Sequence, residues 1–268
     1  MATWSLDDIP WHAFEANKAA PELVSLVKAA CMVEYNGKDY GRYLREVFVD
    51  DPEIYATIEQ WAEEEVQHGQ ALRKWAELAD PTFHFDESFK AFTTGYQLPT
   101  NVTTSVRGSR TGEWVARCVV ETGTSNYYTA IMEYTDEPVL KAICSKIAAD
   151  EFRHYKLFYK LYKQYQQKES ISLWKRISIA FGRVAESDDD ELAYAFFTAH
   201  MGVPNQPAYD RKLYAKRYFQ NVGRLYHRKH IDQMMAMIFK TVGFKPHTML
   251  YKISSALAWN AIRWQARA

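Results

Sequence analysis

Two stretches of this chain repeat one arrangement of ionisable residues, and that repeat limits the available folds more than any other feature. Glu65-Val66-Gln67-His68 and Glu151-Phe152-Arg153-His154 each set a carboxylate and an imidazole three residues apart, so on a helix the two share a face. Upstream of each stands another glutamate in an apolar run. Glu34 follows Ala29-Ala30-Cys31-Met32-Val33, and Glu121 follows Ala116-Arg117-Cys118-Val119-Val120. The intervals are 31 residues (34 to 65) and 30 residues (121 to 151). Their midpoints fall on Val49-Asp50-Asp51-Pro52 and Thr135-Asp136-Glu137-Pro138, both of turn composition. In an antiparallel helix hairpin, residues equidistant from the turn lie at one height, here about 22 Å from it at about 1.5 Å per residue. Each hairpin therefore brings two carboxylates and a histidine to one level, and the chain contains the hairpin twice.

The rest of the sequence agrees with helices. Gly and Pro are few, 11 and 9 in 268 residues, and long stretches lack both. The first predicted helix opens with Pro21 at its first turn and runs to about Phe48; the second opens at Asp51-Pro52 and runs to about Ala79. The stretch 80–111, rich in Thr, Gly and Pro, reads as irregular. A third helix spans about Thr111–Tyr134, and a fourth runs from Asp136-Glu137-Pro138 to about Gln167. Further helical patterns cover Ser172–Ala185, a segment opened by the acidic run Ser187–Glu191, and the chain from Ala208 onward. The expected architecture is all-α, one ferritin-like domain over 1–268. Its four-helix core spans about 21–168, with accessory C-terminal helices over about 171–268.

Two such hairpins packed together surround one point with four carboxylates and two imidazoles. This is the donor set of di-iron and di-manganese helical bundles. Oxygen-rich donors with imidazole suit iron or manganese; structural zinc takes four ligands and often thiolate. Two divalent ions neutralise four carboxylates, whose burial is otherwise costly. A further acid precedes each histidine by four residues, Glu64 before His68 and Asp150 before His154. Metal-binding histidines commonly give their other ring N–H to a carboxylate, and these acids are expected to pair with histidines across the bundle, with water as the alternative partner. Singly, a Glu in an apolar run is ordinarily a rim residue and a lone His a satisfied core residue. Six at matching heights in duplicated hairpins point to metal.

Trp61-Ala-Glu-Glu-Glu-Val-Gln-His-Gly69 and Ile147-Ala-Ala-Asp-Glu-Phe-Arg-His154 resemble the two di-iron motifs of the soluble acyl-acyl carrier protein desaturases. The resemblance covers roughly 25–165 and includes the Glu121 helix. It weakens beyond, although Arg224-Leu-Tyr-His and Met-Ile-Phe-Lys240 look like that family's late helical segment. It implies that Glu34, Glu65, His68, Glu121, Glu151 and His154 hold two irons, with manganese an acceptable substitute. It also implies that Thr124, three residues after Glu121, matches a threonine linked to oxygen handling. The implied reaction is dioxygen-dependent desaturation of an acyl chain carried on acyl carrier protein. The implied partners are that carrier and a ferredoxin-type electron donor, and the implied assembly is a homodimer. Two alternatives stay open: a di-iron hydroxylase, N-oxygenase or oxidative decarboxylase on another small molecule, and a non-catalytic iron-handling protein. The chain is shorter than the plant enzymes, and its crossover and C-terminal region differ. Acyl length and bond position are therefore not transferred.

Lys plus Arg equals Asp plus Glu at 33 each, which leaves no electrostatic footprint for nucleic acid. No apolar run reaches the length of a membrane span. The N-terminal segment lacks signal-peptide features, and three cysteines make no disulfide framework, so a cytoplasmic location is expected. Cys31, Cys118 and Cys144 fall on the metal-facing stripes and read as apolar packing residues. Leu72, Tyr128, Met132 and Phe158 read as core or tunnel lining, and Trp61 as core or an electron relay. Gly37 and Gly41, on Glu34's side of the first helix, mark a close backbone approach, room for substrate, or a kink. The basic segment Arg211–His230 is a solvated face or a docking face for an acidic partner. Trp259 and Trp264 belong to an interfacial helix, a dimer contact or self-packing.

Overall fold

The helix boundaries follow from local chemistry in the computed structural model, which describes residues 4–185, 190–201 and 206–266. Pro21 opens α1 (Pro21–Tyr35) from the N1 position, where its missing N–H costs nothing. Asn36 then breaks the ladder and α2 follows (Gly37–Val47), so the helix expected to run unbroken to Phe48 is two. A short 3-10 turn at Pro52–Ile54 leads into α3 (Tyr55–Ala79). The stretch expected to be irregular holds one helix, α4 (Phe85–Gly95). Its Phe85, Phe89 and Phe92 pack on one another, so burial of an aromatic face outweighs the Thr and Gly content.

The second hairpin is capped more firmly. Ser109 accepts from the backbone N–H of Gly112 at 2.9 Å to start α5 (Arg110–Tyr134). Glu137 accepts from the N–H groups of Val139 and Leu140 to start α6 (Pro138–Lys168). The same buried Glu137 carboxylate takes Trp75 Nε1–H of α3 at 2.6 Å and the Glu15 N–H at 3.1 Å. One side chain thus caps a helix and ties the second hairpin to the first. After α6 come α7 (Leu173–Ala185), α8 (Asp190–Thr198), α9 (Arg211–Leu225), α10 (Arg228–Val242) and α11 (Met249–Gln265). Ser187, Asp188 and Asp189 of the acidic run lie outside the described residues. Among the described residues every regular element is helical, and no helix is long and apolar enough to cross a membrane.

α1 and α2 pack on α3, α5 packs on α6, and α3 meets α6 where the hairpins join. The core is split in two. Leu72, Trp75, Tyr128, Ile131, Leu140 and Ile147 belong to one buried cluster; Leu44, Trp61, Trp114, Tyr155 and Phe158 belong to the other. Along α3, α5 and α6 alike, the residues between these clusters are the ionisable ones. The apolar layers on either side provide the folding energy, about 1.5–3 kcal/mol for each large side chain fully removed from water. The polar layer between them must be satisfied internally.

Candidate metal centre

The structure brings all six expected residues into that layer as two overlapping groups. Donor atoms of Glu34, Glu65, His68 and Glu151 lie within 4.8 Å of one another, and so do those of Glu65, Glu121, Glu151 and His154. Glu65 and Glu151 belong to both groups. Each remaining residue belongs to one: Glu34 with His68, Glu121 with His154.

The two imidazoles present the same atom inward. His68 Nδ1 lies 3.1 Å from Glu151 Oε1 and 3.6 Å from Glu34 Oε2. His154 Nδ1 lies 3.0 Å from Glu65 Oε1 and 3.7 Å from Glu121 Oε2. These contacts are close but not aligned as hydrogen bonds. Glu34 Oε2, Glu65 Oε1, His68 Nδ1, Glu121 Oε2, Glu151 Oε1 and His154 Nδ1 are all buried with no hydrogen-bond partner. Native interiors rarely orphan buried polar atoms, and here each of the six residues contributes one. Two donors about 2.1 Å from one cation and at right angles stand about 3.0 Å apart. The unpartnered atoms, their spacing and their chemistry therefore fit divalent cations.

The outward nitrogens cross the bundle. His154 Nε2 on α6 lies 2.7 Å from Glu64 Oε2 on α3, and His68 Nε2 on α3 lies 3.2 Å from Asp150 Oδ2 on α6. A carboxylate on Nε2 fixes the tautomer that leaves the Nδ1 lone pair facing inward. Arg153 Nη2 joins the two acids, donating to Glu64 at 2.8 Å and Asp150 at 2.7 Å. Gln60 donates to Glu64 at 2.9 Å, and Trp4 Nε1–H donates to Asp150 at 2.8 Å. The Trp4 ring lies nearly parallel to that of His68, with centroids 6.0 Å apart.

Electrostatics follow from this layout. Burial acts to raise Glu64, but hydrogen bonds from His154, Gln60 and Arg153 outweigh it and bring its pKa down to about 2. Asp150 is lowered in the same way by His68 and Arg153. Burial, then the charge of Glu151, pushes Glu65 and Glu121 well up. Burial acts to lower His154, but Glu64 and Glu65 outweigh it and carry it up to about 9. His68 is raised by Asp150, Glu151 and Glu34 against the same burial. Burial and carboxylate repulsion raise Glu65 and Glu121 while neighbouring acids raise both imidazoles, a charge balance that cations would take over.

Thr124 on α5 directs its hydroxyl to Glu151 Oε2, so it touches one of the two shared carboxylates. Tyr128, expected as core or tunnel lining, is buried and donates its hydroxyl to Glu34 Oε1 at 2.5 Å. Arg153, Trp4 and Tyr128 had no such role in the sequence reading. Arg153 is inside the second motif, yet its partners are set by the α3–α6 crossing; Trp4 is distant in sequence. Gly37 and Gly41 mark a close approach. A Cβ on Gly37 would sit 2.5 Å from Glu65 Cβ, and one on Gly41 2.8 Å from Ala62 Cβ. Cys31, Cys118 and Cys144 are buried free thiols, each pushed up by burial. In the basic segment, Arg228 pairs with Asp232 and Lys229 with Glu133. A surface cleft of about 790 Å³, beside the 47–53 turn and the start of α5, shares no residue with the centre.

No family model matches the chain, and no curated protein matches it. The site therefore stands on its own geometry: a buried carboxylate–histidine cluster able to hold metal.

Proposed function

We propose that the chain is a dioxygen-dependent di-iron oxidoreductase that desaturates an acyl chain carried as a thioester, like the acyl carrier protein desaturases its motifs resemble. The observation that supports this most is the overlap of the two four-residue groups at Glu65 and Glu151. Glu34, Glu65, His68 and Glu151 would hold one ion, and Glu65, Glu121, Glu151 and His154 the other. When bound, the irons supply what side chains lack, reductive activation of dioxygen toward an unactivated C–H bond. In the overall balance dioxygen takes two electrons from a ferredoxin-type donor and two from the C–C unit, and leaves as two waters.

The protein's part is positional. Glu64 and Asp150 hold both imidazoles in the tautomer that offers Nδ1. Tyr128 fixes Glu34 and Thr124 fixes Glu151, and the Thr124 hydroxyl is a proton donor at the edge of the centre. The apolar clusters on both sides exclude water from the centre. Exposed Lys212 and Lys216 of α9 offer cations to an acidic carrier or ferredoxin.

The deciding experiment is metal analysis with Mössbauer spectra on protein expressed in labelled iron, followed by turnover of acyl carrier protein thioesters with reduced ferredoxin. About two coupled irons per chain, lost in Glu151→Ala, and a product lighter by two hydrogens are expected. A product that gains oxygen would move the assignment to a hydroxylase. Wild-type protein with a single isolated metal or none would overturn the di-iron reading itself.

A further inference from the structure

Away from the metal centre, α7 and α11 each bury only a narrow face. α7 sets Ile179 and Ala180 against α5 and α10. α11 sets Tyr251 and Ser255 against α10, the Tyr251 hydroxyl donating to the Asp232 carbonyl at 2.7 Å. Their outer faces are apolar. Trp174 is 78% exposed and Phe181 76% on α7; Met249 is 72%, Ile253 53%, Leu257 65% and Trp264 71% exposed on α11. The spacing 253, 257, 264 runs one stripe along α11, and 174 and 181 lie on one side of α7. Both helices pack on α10, and the Arg176 guanidinium of α7 lies against Gly243 in the turn leading to α11.

Within their bounds the two helices contain cations and no acids: Lys175, Arg176 and Arg183 on α7, and Lys252 and Arg263 on α11, with Lys245 before it. The next acids in sequence are Glu186 after α7 and Asp232 before α11. Over the whole chain acids and bases balance, so the asymmetry is local. Large exposed apolar side chains on amphipathic helices whose charged residues are all cations are the pattern of helices that lie in a bilayer interface.

We propose that α7 and α11 form a docking surface for an anionic lipid bilayer, with Trp174, Phe181, Leu257 and Trp264 entering the headgroup layer and the cations meeting lipid phosphates. A second copy of this chain fits less well, since a twofold contact would set cationic faces against each other. An acidic protein would meet the charges, but it would need an apolar surface matched to two convex helices, which a fluid interface provides without matching. The contact is interfacial, because no described helix is long and apolar enough to cross.

The test is flotation of the full chain with vesicles of phosphatidylcholine alone or with roughly one third phosphatidylglycerol, at about 0.15 M salt. Binding to the anionic vesicles, weak binding to the neutral ones, and decline with added salt are expected. Lys252→Gln with Arg263→Gln should weaken binding about 25-fold, about fivefold per cation. Phe181→Ser with Leu257→Ser, which keeps the charge, should weaken it by more than about tenfold. Circular dichroism and metal content should stay at wild-type values in both. If either variant misfolds, the wild-type lipid and salt dependence still decides. Wild-type protein that ignores anionic vesicles, or binding equal in all three proteins, overturns the proposal. So does a wild-type dimer without lipid that the Ser variant dissociates, or retention on an acidic protein that the Gln variant loses while vesicle binding stays unchanged.

Discussion

His154 on α6 holds Glu64 on α3 across the bundle at 2.7 Å. Four residues along, the relation is reversed, with His68 on α3 against Asp150 on α6. Neither acid reaches the inward cluster, yet each sets which nitrogen its histidine can offer. Removing such a partner typically costs 10–100-fold in metal affinity. Glu64→Ala and Asp150→Ala should each weaken iron(II) binding by about that factor, read by chelator competition, with helix content unchanged. Affinity equal to wild type in both would show that the crossed pairs do not act on the metal.

The carboxylates divide into shared and unshared ones, and substitutions should sort the same way. Glu65→Ala or Glu151→Ala should abolish tight binding of both ions. Glu34→Ala or Glu121→Ala should leave about one per chain. Added iron(II) should raise the unfolding temperature of wild type, by about 4 kcal/mol of stability at roughly a thousandfold over Kd, and have little effect on Glu151→Ala. Metal counting after reconstitution, with calorimetry, separates these patterns; four identical variants would remove the distinction.

Gly37 places α2 directly against a metal-holding residue. Its added Cβ would lie 2.5 Å from Glu65 Cβ and 3.0 Å from the Ala62 carbonyl oxygen, closer than backbone can yield without moving. Gly37→Ala should therefore destabilise by about 1–3 kcal/mol and weaken metal binding by displacing Glu65. Gly182→Ala, where nothing lies within 4 Å, is the control. Urea unfolding of the two variants should differ by most of that amount.

Asp80 yields a pH prediction remote from the centre. Burial acts to raise it, but hydrogen bonds from Lys28 and Thr82 outweigh this and hold its pKa at about 2. An unfolded Asp titrates near about 3.9. A depressed folded pKa means that the stabilisation is complete above the unfolded value and lost as pH falls from about 4 through about 2. Asp80→Asn should cost about 1 kcal/mol at neutral pH, and its deficit against wild type should shrink as the pH drops toward 3. A deficit constant from pH 7 to 3, followed by denaturant unfolding, would contradict the pairing.

Much of this was legible in the sequence, for identifiable reasons. Helical period and equal spacing from two turns were enough to bring Glu34, Glu65, His68, Glu121, Glu151 and His154 to one level, because a helix converts sequence distance into height. The break at Asn36 was not legible, since Gly37 suits a kink and a close approach equally and only the α3 surface decides. α4 was hidden by its Thr and Gly, its stability coming from aromatic burial against other elements. Trp4 and Arg153 escaped notice because their partners lie on other segments, and Tyr128 because an apolar stripe does not reveal where a hydroxyl points.

The crossed histidine–acid pairs have a consequence for the fold itself. They are spaced four residues apart on both α3 and α6, and the helices run in opposite directions. Sliding one helix by a single residue, about 1.5 Å, would displace both pairs together, with no compensation between them. Apolar neighbours such as Leu72 and Phe158 tolerate small slips, whereas a buried imidazole facing the wrong atom does not. The polar layer thus acts as a vernier, fixing the axial alignment of the two hairpins where the greasy layers on either side would accept several.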